Sequence, residues 1–506
     1  MTSYAGARSR SAARAARRSW WWILGLAAAG VAGVALRIWA ERDPLGLPNS
    51  DEAVLGLMTR HLLHGHLTTF IWGEAYGGPQ EIFLAAPGFA LFGSSWLALR
   101  VAPFVLFLAT LVVVWRVGLR LLDRGRAAAA VVLFWVWPGF VIFELAHETS
   151  FYGADLLYTA LLLLLSLRIV ERPDAQRVGL FGLVLGLAFW ETSQIVPIAV
   201  AVIAWTIWKR PAALRRTPVA IVAFVVGALP WLVWNATHHW ASLHLKSGPH
   251  VTYVHRFRLF LSPVFPELIG FRIPGSQVSL LPVVVIYPVY AALLALFVYG
   301  AWRTRRRPVS LLYVTAAVFP FIYSAAAQTF DTTSPRYTFV LAPVLVLLVA
   351  QVMTTRVRAA AVVAVCCAVS VLFLHKMSQY HDPIPHSPRN IKPLLATLDR
   401  LHVGHVYADL WAAYVIDFDS KERIVAAENK FDDVRFVNGS AVLPSNPVVR
   451  WRAYERAIEA DPRHGFVFFR KTVGSVPVVP ALLRHGYRRV NVGPFVVLAP
   501  PKSVSA

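Results

Sequence analysis

An aspartate and a glutamate stand side by side at Asp51 and Glu52, directly after Pro48-Asn49-Ser50. The residues that follow, Val54, Leu55, Met58 and Leu62, share one helical face, so both carboxylates fall in the first turn of an amphipathic helix that Gly65 stops. A carboxylate placed there either complements the positive helix end, worth about 0.3 to 1 kcal/mol, or accepts a proton and orients a nucleophile. A second acidic pair, Glu144 and Glu148, is spaced four residues apart on one helix face, with His147 beside it. Two basic features could meet a phosphate. Arg336 follows Ser334-Pro335 and precedes Tyr337, and the segment 236–280 holds Lys246, Arg256, Arg258 and Arg272 against the single acid Glu267. A guanidinium grips a phosphate through two parallel N–H groups; the bland readings are an interfacial anchor for Arg336 and a solvated loop for the others. Tyr76 sits among Gly73, Gly77 and Gly78, which allow close backbone approach to a ligand or simply form a turn between two helices. His61, His64 and His66 read as polar-face residues of the amphipathic helix rather than as metal ligands.

The elements that must position these groups lie in a membrane. The chain has 506 residues, 57% of them hydrophobic and 15% charged, with a mean hydropathy of +0.55. That leaves too little polar surface for a water-soluble fold. The net charge of +22 comes from basic residues placed between apolar runs, which excludes nucleic acid as a partner and points to membrane lipid. Cys366 and Cys367 are adjacent within an apolar run, so no disulfide framework is available.

Eleven runs can serve as spans, near 20–40, 96–121, 127–146, 152–170, 177–190, 194–208, 217–235, 281–302, 308–327, 337–353 and 359–375. With a cytoplasmic amino terminus, the basic tail 1–19 and the intervening short loops hold twenty-two basic residues against three acidic ones, Asp123, Glu171 and Asp174. This satisfies the preference of Lys and Arg for the cytoplasmic side and places everything beyond the last span outside. In the loop 41–95, the helix at Asp51–His64 and the short apolar helix at Ile82–Phe92 are expected to lie in the outer interface. After a linker at 376–389, short alternating runs replace the long apolar ones, so residues 390–506 read as an extracytoplasmic α/β domain. Its expected strands are 403–407, 423–427, 466–469 and 489–497, with helices at 391–401, 449–459 and 479–485.

The orientation also sorts the acids. Glu41, Asp43, Asp51, Glu52, Glu74, Glu81, Glu144, Glu148, Asp155, Glu191, Glu267 and Asp331 all fall outside or at the outer ends of spans. Ionisable groups near hydrocarbon are costly, so this one-sided clustering implies a polar cavity opening outward.

The run Asn49-Ser50-Asp51-Glu52-Ala53, then Trp72-Gly73-Glu74-Ala75-Tyr76-Gly77-Gly78 with Glu81, then Ala98-Leu99-Arg100-Val101-Ala102-Pro103 opening the next span, resembles the GT-C glycosyltransferases. The likeness is to the branch of protein O-mannosyltransferases and lipid A aminoarabinose transferases. Weaker pieces, Phe189-Trp190 and Ser334-Pro335-Arg336-Tyr337, extend it over residues 20–375. It implies an all-α polytopic enzyme that moves a sugar from a polyprenyl phosphate carrier to a glycan, lipid or protein acceptor outside the membrane. It further implies Asp51 as the base or acceptor-orienting group, Glu52 beside it, and Glu148 or Glu144 as the second acidic position. There the chain departs from the family's Asp-rich pattern, reading His147-Glu148-Thr149-Ser150. In a related branch a carboxylate near the Gly-containing turn binds a divalent metal, and Glu81 is the approximate match. The competing classes are a transporter or lipid flippase, against which stand the absence of a visible inverted repeat and a candidate site at the outer rim, and an inactive scaffold presenting the C-terminal domain.

Overall fold

The computed structural model describes residues 25, 27–147, 150–244, 251–330, 334–380, 387–437, 440–447 and 449–501. The basic tail, Glu148, Lys246, Asp331 and residues 381–386 of the linker lie outside the described residues.

All eleven apolar runs fold as helix where they are described. Four are single helices long and apolar enough to cross a membrane: Trp96–Leu121, Tyr152–Glu171, Val284–Thr304 and Arg356–Tyr380. The others are shorter or interrupted, and the sequence gives the cause in several places. The third run splits at Pro138 into Arg124–Val136 and Gly139–Glu144, since proline cannot donate the N–H that would continue the helix. The tenth begins as a tight 3₁₀ turn, Arg336–Leu341, before the α-helix Ala342–Ala350. The sixth and seventh, Ser193–Lys209 and Pro211–Gly227, meet at 115°. The last helix runs one turn beyond its expected end, to Tyr380.

In the first loop, the helix Ser50–Leu63 is capped by the Asn49 side chain, whose Oδ1 accepts the Glu52 N–H at 2.9 Å. Instead of lying half-exposed in the interface, this helix is covered on nearly every side. The helix Gln80–Phe92 packs on one face and the helix Leu410–Ser420 of the C-terminal domain packs on another. Glu52 points inward, where Arg100 of the helix Trp96–Leu121 donates Nε and Nη2 to its two oxygens at 2.6 and 2.7 Å.

The C-terminal domain is a five-stranded sheet built from β1 (His405–Ala408), β2 (Val425–Glu428), β5 (Gly465–Phe469), β6 (Arg488–Val492) and β7 (Phe495–Ala499), in the order β2-β1-β5-β7-β6. Strands β2, β1 and β5 are parallel, with Val406 opposite Ala426 and Tyr407 opposite Phe466. Strand β7 runs antiparallel to both β5 and β6, pairing Phe468 with Val496 and Val490 with Val497. The expected strand 489–497 is thus two strands turning at Gly493. A small hairpin of β3 (Arg435–Val437) and β4 (Ser440–Val442) and the helix Leu410–Ser420 are additional to the expected elements. That helix escapes periodicity because its run Ala412–Phe418 is buried all round, Asp417 included, leaving no polar face to mark it.

Candidate functional site

Asp51 sits in the first turn of its helix with its side chain 47% exposed, while its neighbour Glu52 is fully buried. Adjacent helical positions diverge by about 100°, and that divergence assigns the two carboxylates to different surroundings. Glu52 serves the buried ion pair with Arg100, which also reaches Glu41. Asp51 faces the C-terminal domain, whose Arg450 donates Nη2 to its Oδ1 at 2.8 Å. The other terminal nitrogen of Arg450 goes to Glu74.

Tyr76, Tyr337 and Arg336 lie within electrostatic reach of one another. Burial and the neighbouring Tyr337 push the Tyr76 phenol up, Arg336 opposes this, and Asp51 adds to it, so these four groups share one electrostatic environment. Arg336 packs its guanidinium 5.1 Å from the centre of the Tyr337 ring and donates Nη2 to the Tyr337 hydroxyl at 3.4 Å. Its charge is felt as well by Glu144 and Tyr152. Glu144 and His147 are both buried, and the His147 ring meets Phe143 edge-on at 5.7 Å. Asp51 and Arg336 thus both act on Tyr76, and Arg336 also acts on Glu144. The structure places Arg256 elsewhere, with Nε donating to the Ser324 carbonyl at 2.8 Å, and leaves Arg258 exposed on the same short helix, Tyr253–Leu259.

Glu81 belongs to a different group. It is buried with Asp155 and Glu191, the three carboxylates lying close enough to repel one another. Glu81 Oε1 accepts the Ala154 N–H at 2.9 Å, and Gln80 donates its N–H to Glu191 Oε2 at 3.4 Å. Both carboxylate oxygens of Asp155 are buried and lack a hydrogen-bond partner among the described residues. Gly78 is explained here: a Cβ on it would stand 2.7 Å from Glu191 Oε2 and 2.8 Å from the Glu191 Cα. Its close approach is to the chain itself. Among the described residues no three His, Cys, Asp or Glu side chains are grouped so as to hold a metal ion. His61 instead places Nε2 2.7 Å from Glu422 Oε1, across the domain seam.

Sequence reasoning missed Arg450 and Arg100 as the partners of Asp51 and Glu52, and Glu74 as the second acid on Arg450. Arg450 lies 399 residues from Asp51 and carries no local mark beyond an adjacent tryptophan; only the fold brings it there.

The described residues thus combine apolar helices, a long first loop carrying the half-exposed Asp51, and an α/β region packed against that loop. The family model for dolichyl-phosphate-mannose-protein mannosyltransferases matches residues 78–234. In fold, the chain is similar to ArnT from Cupriavidus metallidurans in the apo state, with a TM-score of 0.62 at 13% identity over 97% of this chain and 99% of that one. The same protein bound to undecaprenyl phosphate gives 0.61 at 12% identity, over 96% and 99%. The Archaeoglobus fulgidus oligosaccharyltransferase in complex with Zn and sulfate gives 0.54 at 14% identity, over 94% of this chain and 73% of that one. No curated protein sequence matches the chain.

Proposed function

We propose that the protein transfers a sugar from a polyprenyl phosphate carrier to an acceptor at the outer face of the cytoplasmic membrane. The observation that carries this is that a half-exposed Asp51 and the Arg336 guanidinium both act on the Tyr76 phenol, which puts a proton acceptor and a cation in one electrostatic environment. In the reaction, an acceptor hydroxyl gives its proton to Asp51 as its oxygen bonds to the anomeric carbon. The bond from that carbon to the phosphate oxygen breaks, and the negative charge growing on the leaving polyprenyl phosphate is met by Arg336. The second acidic position falls to Glu148 or Glu144, of which Glu144 is buried within the field of Arg336. Glu52 serves as scaffold through Arg100.

The likeness to a protein bound to undecaprenyl phosphate supports the lipid carrier, and the mannosyltransferase family match supports sugar transfer. Transport draws no support from either. The charge asymmetry supports eleven spans with the C-terminal domain outside. The test is turnover of lipid-linked donors bearing a panel of sugars by the purified protein and its Asp51→Asn variant. Turnover by the wild type alone supports the reading; equal turnover by both removes it.

A further inference from the structure

The residue that touches Asp51 comes from the C-terminal domain, and its placement is over-determined. Arg450 is held by its backbone: its N–H is shared between the Tyr414 hydroxyl at 2.9 Å and Glu428 Oε1 at 3.0 Å, and Tyr414 in turn donates to Glu428. Tyr414 and Glu428 are buried in the domain core, so the position of Arg450 is set by the domain and not by the first loop. Its side chain is 17% exposed and reaches across the seam to two carboxylates, Asp51 and Glu74.

The first loop is shaped to receive it. Gly73 has φ +75°, and a Cβ there would stand 2.7 Å from the Arg450 Cα and 3.0 Å from the Val449 carbonyl oxygen. Those are backbone atoms that cannot swing aside, so any larger residue at 73 pushes the segment away. One residue before, Trp72 stacks on Trp451 with ring centres 4.2 Å apart and planes at 21°. One residue after, Glu74 takes the guanidinium. Trp72-Gly73-Glu74 thus lies against Val449-Arg450-Trp451 as a three-residue latch.

We infer that Arg450 is a positioning residue for the transfer reaction, supplied by the C-terminal domain to orient Asp51. The inference rests on Asp51 as the base. Nη2 fixes Oδ1, while the carboxylate as a whole stays half open, which leaves its second oxygen for the acceptor hydroxyl. Glu74 holds the other nitrogen and keeps the guanidinium from turning away from Asp51. The cation also offsets the repulsion between two carboxylates drawn to one point. In this arrangement the C-terminal domain is part of the active site, and the enzyme is complete only when the latch is closed.

The experiment uses the full-length protein and a lipid-linked donor that the wild type turns over. Arg450→Ala should lower kcat about 10- to 100-fold, the range expected when a reacting group loses its alignment, with the donor KM changed by less than about threefold. Arg450→Lys should fall between the two. Millimolar guanidinium should restore part of the activity of Arg450→Ala and none of that of Trp451→Ala, which loosens the latch but keeps the cation. The double variant Asp51→Asn/Arg450→Ala should be no slower than Asp51→Asn alone, because the two act through one atom pair. Wild-type kcat in Arg450→Ala, a raised kcat, or a loss confined to KM would each overturn the inference. A loss that guanidinium leaves untouched and that Trp451→Ala reproduces would reduce Arg450 to a docking residue and overturn it too. Asp51→Asn run in parallel separates the two levels: if it retains transfer, the base assignment itself has failed.

Discussion

The domain seam and the pocket behind Gly78 both gather carboxylates, and they treat the resulting repulsion in opposite ways. At the seam acids meet cations: Asp51 and Glu74 meet Arg450, Glu422 meets Arg60 and His61, and Glu41 meets Arg100 and Arg389. Glu422 shows the consequence. Burial alone would raise its carboxyl, but hydrogen bonds from His61 and Tyr454, with the charges of His61 and Arg60, outweigh burial and hold it at about 2. In the pocket, Glu81, Asp155 and Glu191 are buried together, with the Ala154 N–H donating to Glu81 and the Gln80 N–H to Glu191. A seam built from complementary charges can open and close; a buried acidic cluster is fixed by the helices around it. Chemistry that must admit and release substrates belongs at the seam.

The comparison breaks most decisively at Asp51. Asp51→Asn is nearly isosteric and keeps an oxygen for Arg450, so a loss of transfer reports the missing proton acceptor and not packing. General-base catalysis contributes about 10² to 10⁴ in rate, or roughly 3 to 5 kcal/mol of barrier. A helix-end carboxylate would instead cost a fraction of a kcal/mol in stability with turnover unchanged. Steady-state kinetics on folded, inserted protein distinguishes these. The neighbouring change Glu52→Gln should behave in reverse: about 3 kcal/mol or more of stability lost, because Arg100 is left buried with half its partner gone, and kcat per folded molecule largely retained. Thermal unfolding in detergent beside specific activity checks it.

Arg336→Ala comes next. A charge-assisted hydrogen bond is worth about 1.5 to 3 kcal/mol, so the affinity for the lipid-linked donor should fall about 10- to 100-fold. Arg336→Lys should recover only part of this because it lacks the planar fork. Donor titration reads the result, and unchanged affinity would leave Arg336 as an anchor beside Tyr337.

The seam should also be pH-sensitive in a predictable direction. Glu422 has a depressed carboxyl, so the stability it lends is present above its ordinary value of 4.5 and is lost as pH falls from there toward about 2. By linkage this amounts to at most about 3 kcal/mol. Asp419, whose Oδ1 accepts the Trp96 indole N–H at 2.9 Å, acts the other way: burial raises its carboxyl to about 6. Its contribution is present below 3.8 and is lost as pH rises through about 6. Docking should therefore be firmest near pH 4, between the ordinary Asp419 and Glu422 values of 3.8 and 4.5, and Asp419→Asn should flatten the upper side alone. Fluorescence of the stacked Trp72 and Trp451, followed across pH, measures it.

How far these features were legible in the sequence depends on whether their cause is local. The helix carrying Asp51 was readable because its start is written into consecutive residues: Asn49 supplies the cap, Asp51 and Glu52 occupy the first turn, and the apolar spacing fixes the buried face. Three of the expected strands of the C-terminal domain fell within about two residues of the observed ones for the same reason. The divergence of Asp51 from Glu52 was foreseeable as helix geometry, but not which of them would be buried, since that depends on Arg100, 48 residues away. Arg450 had no local signature. Gly73 and Gly78 read either as room for a ligand or as a plain turn between two helices, whereas the structure uses both for close approaches of the chain to itself.

The smallest expected effect tests the other half of the comparison. Asp155→Asn replaces a buried side chain whose two carboxylate oxygens have no hydrogen-bond partner among the described residues, so no bond of the folded state is lost. The substitution keeps the volume and removes one of three mutually repelling acids, and burying an ionised carboxylate without a partner is unfavourable to begin with. Stability should change by less than about 1 kcal/mol or rise slightly, in contrast to Glu52→Gln, where a buried partner is broken. Transfer should stay within a few-fold of wild type, because Asp155 is grouped with Glu81 and Glu191 and not with Asp51 and Arg336. Thermal unfolding of the variant beside its donor turnover decides the matter. A large fall in turnover with stability intact would mean that the buried cluster takes part in the chemistry, and the division between a working seam and a fixed pocket would have to be redrawn.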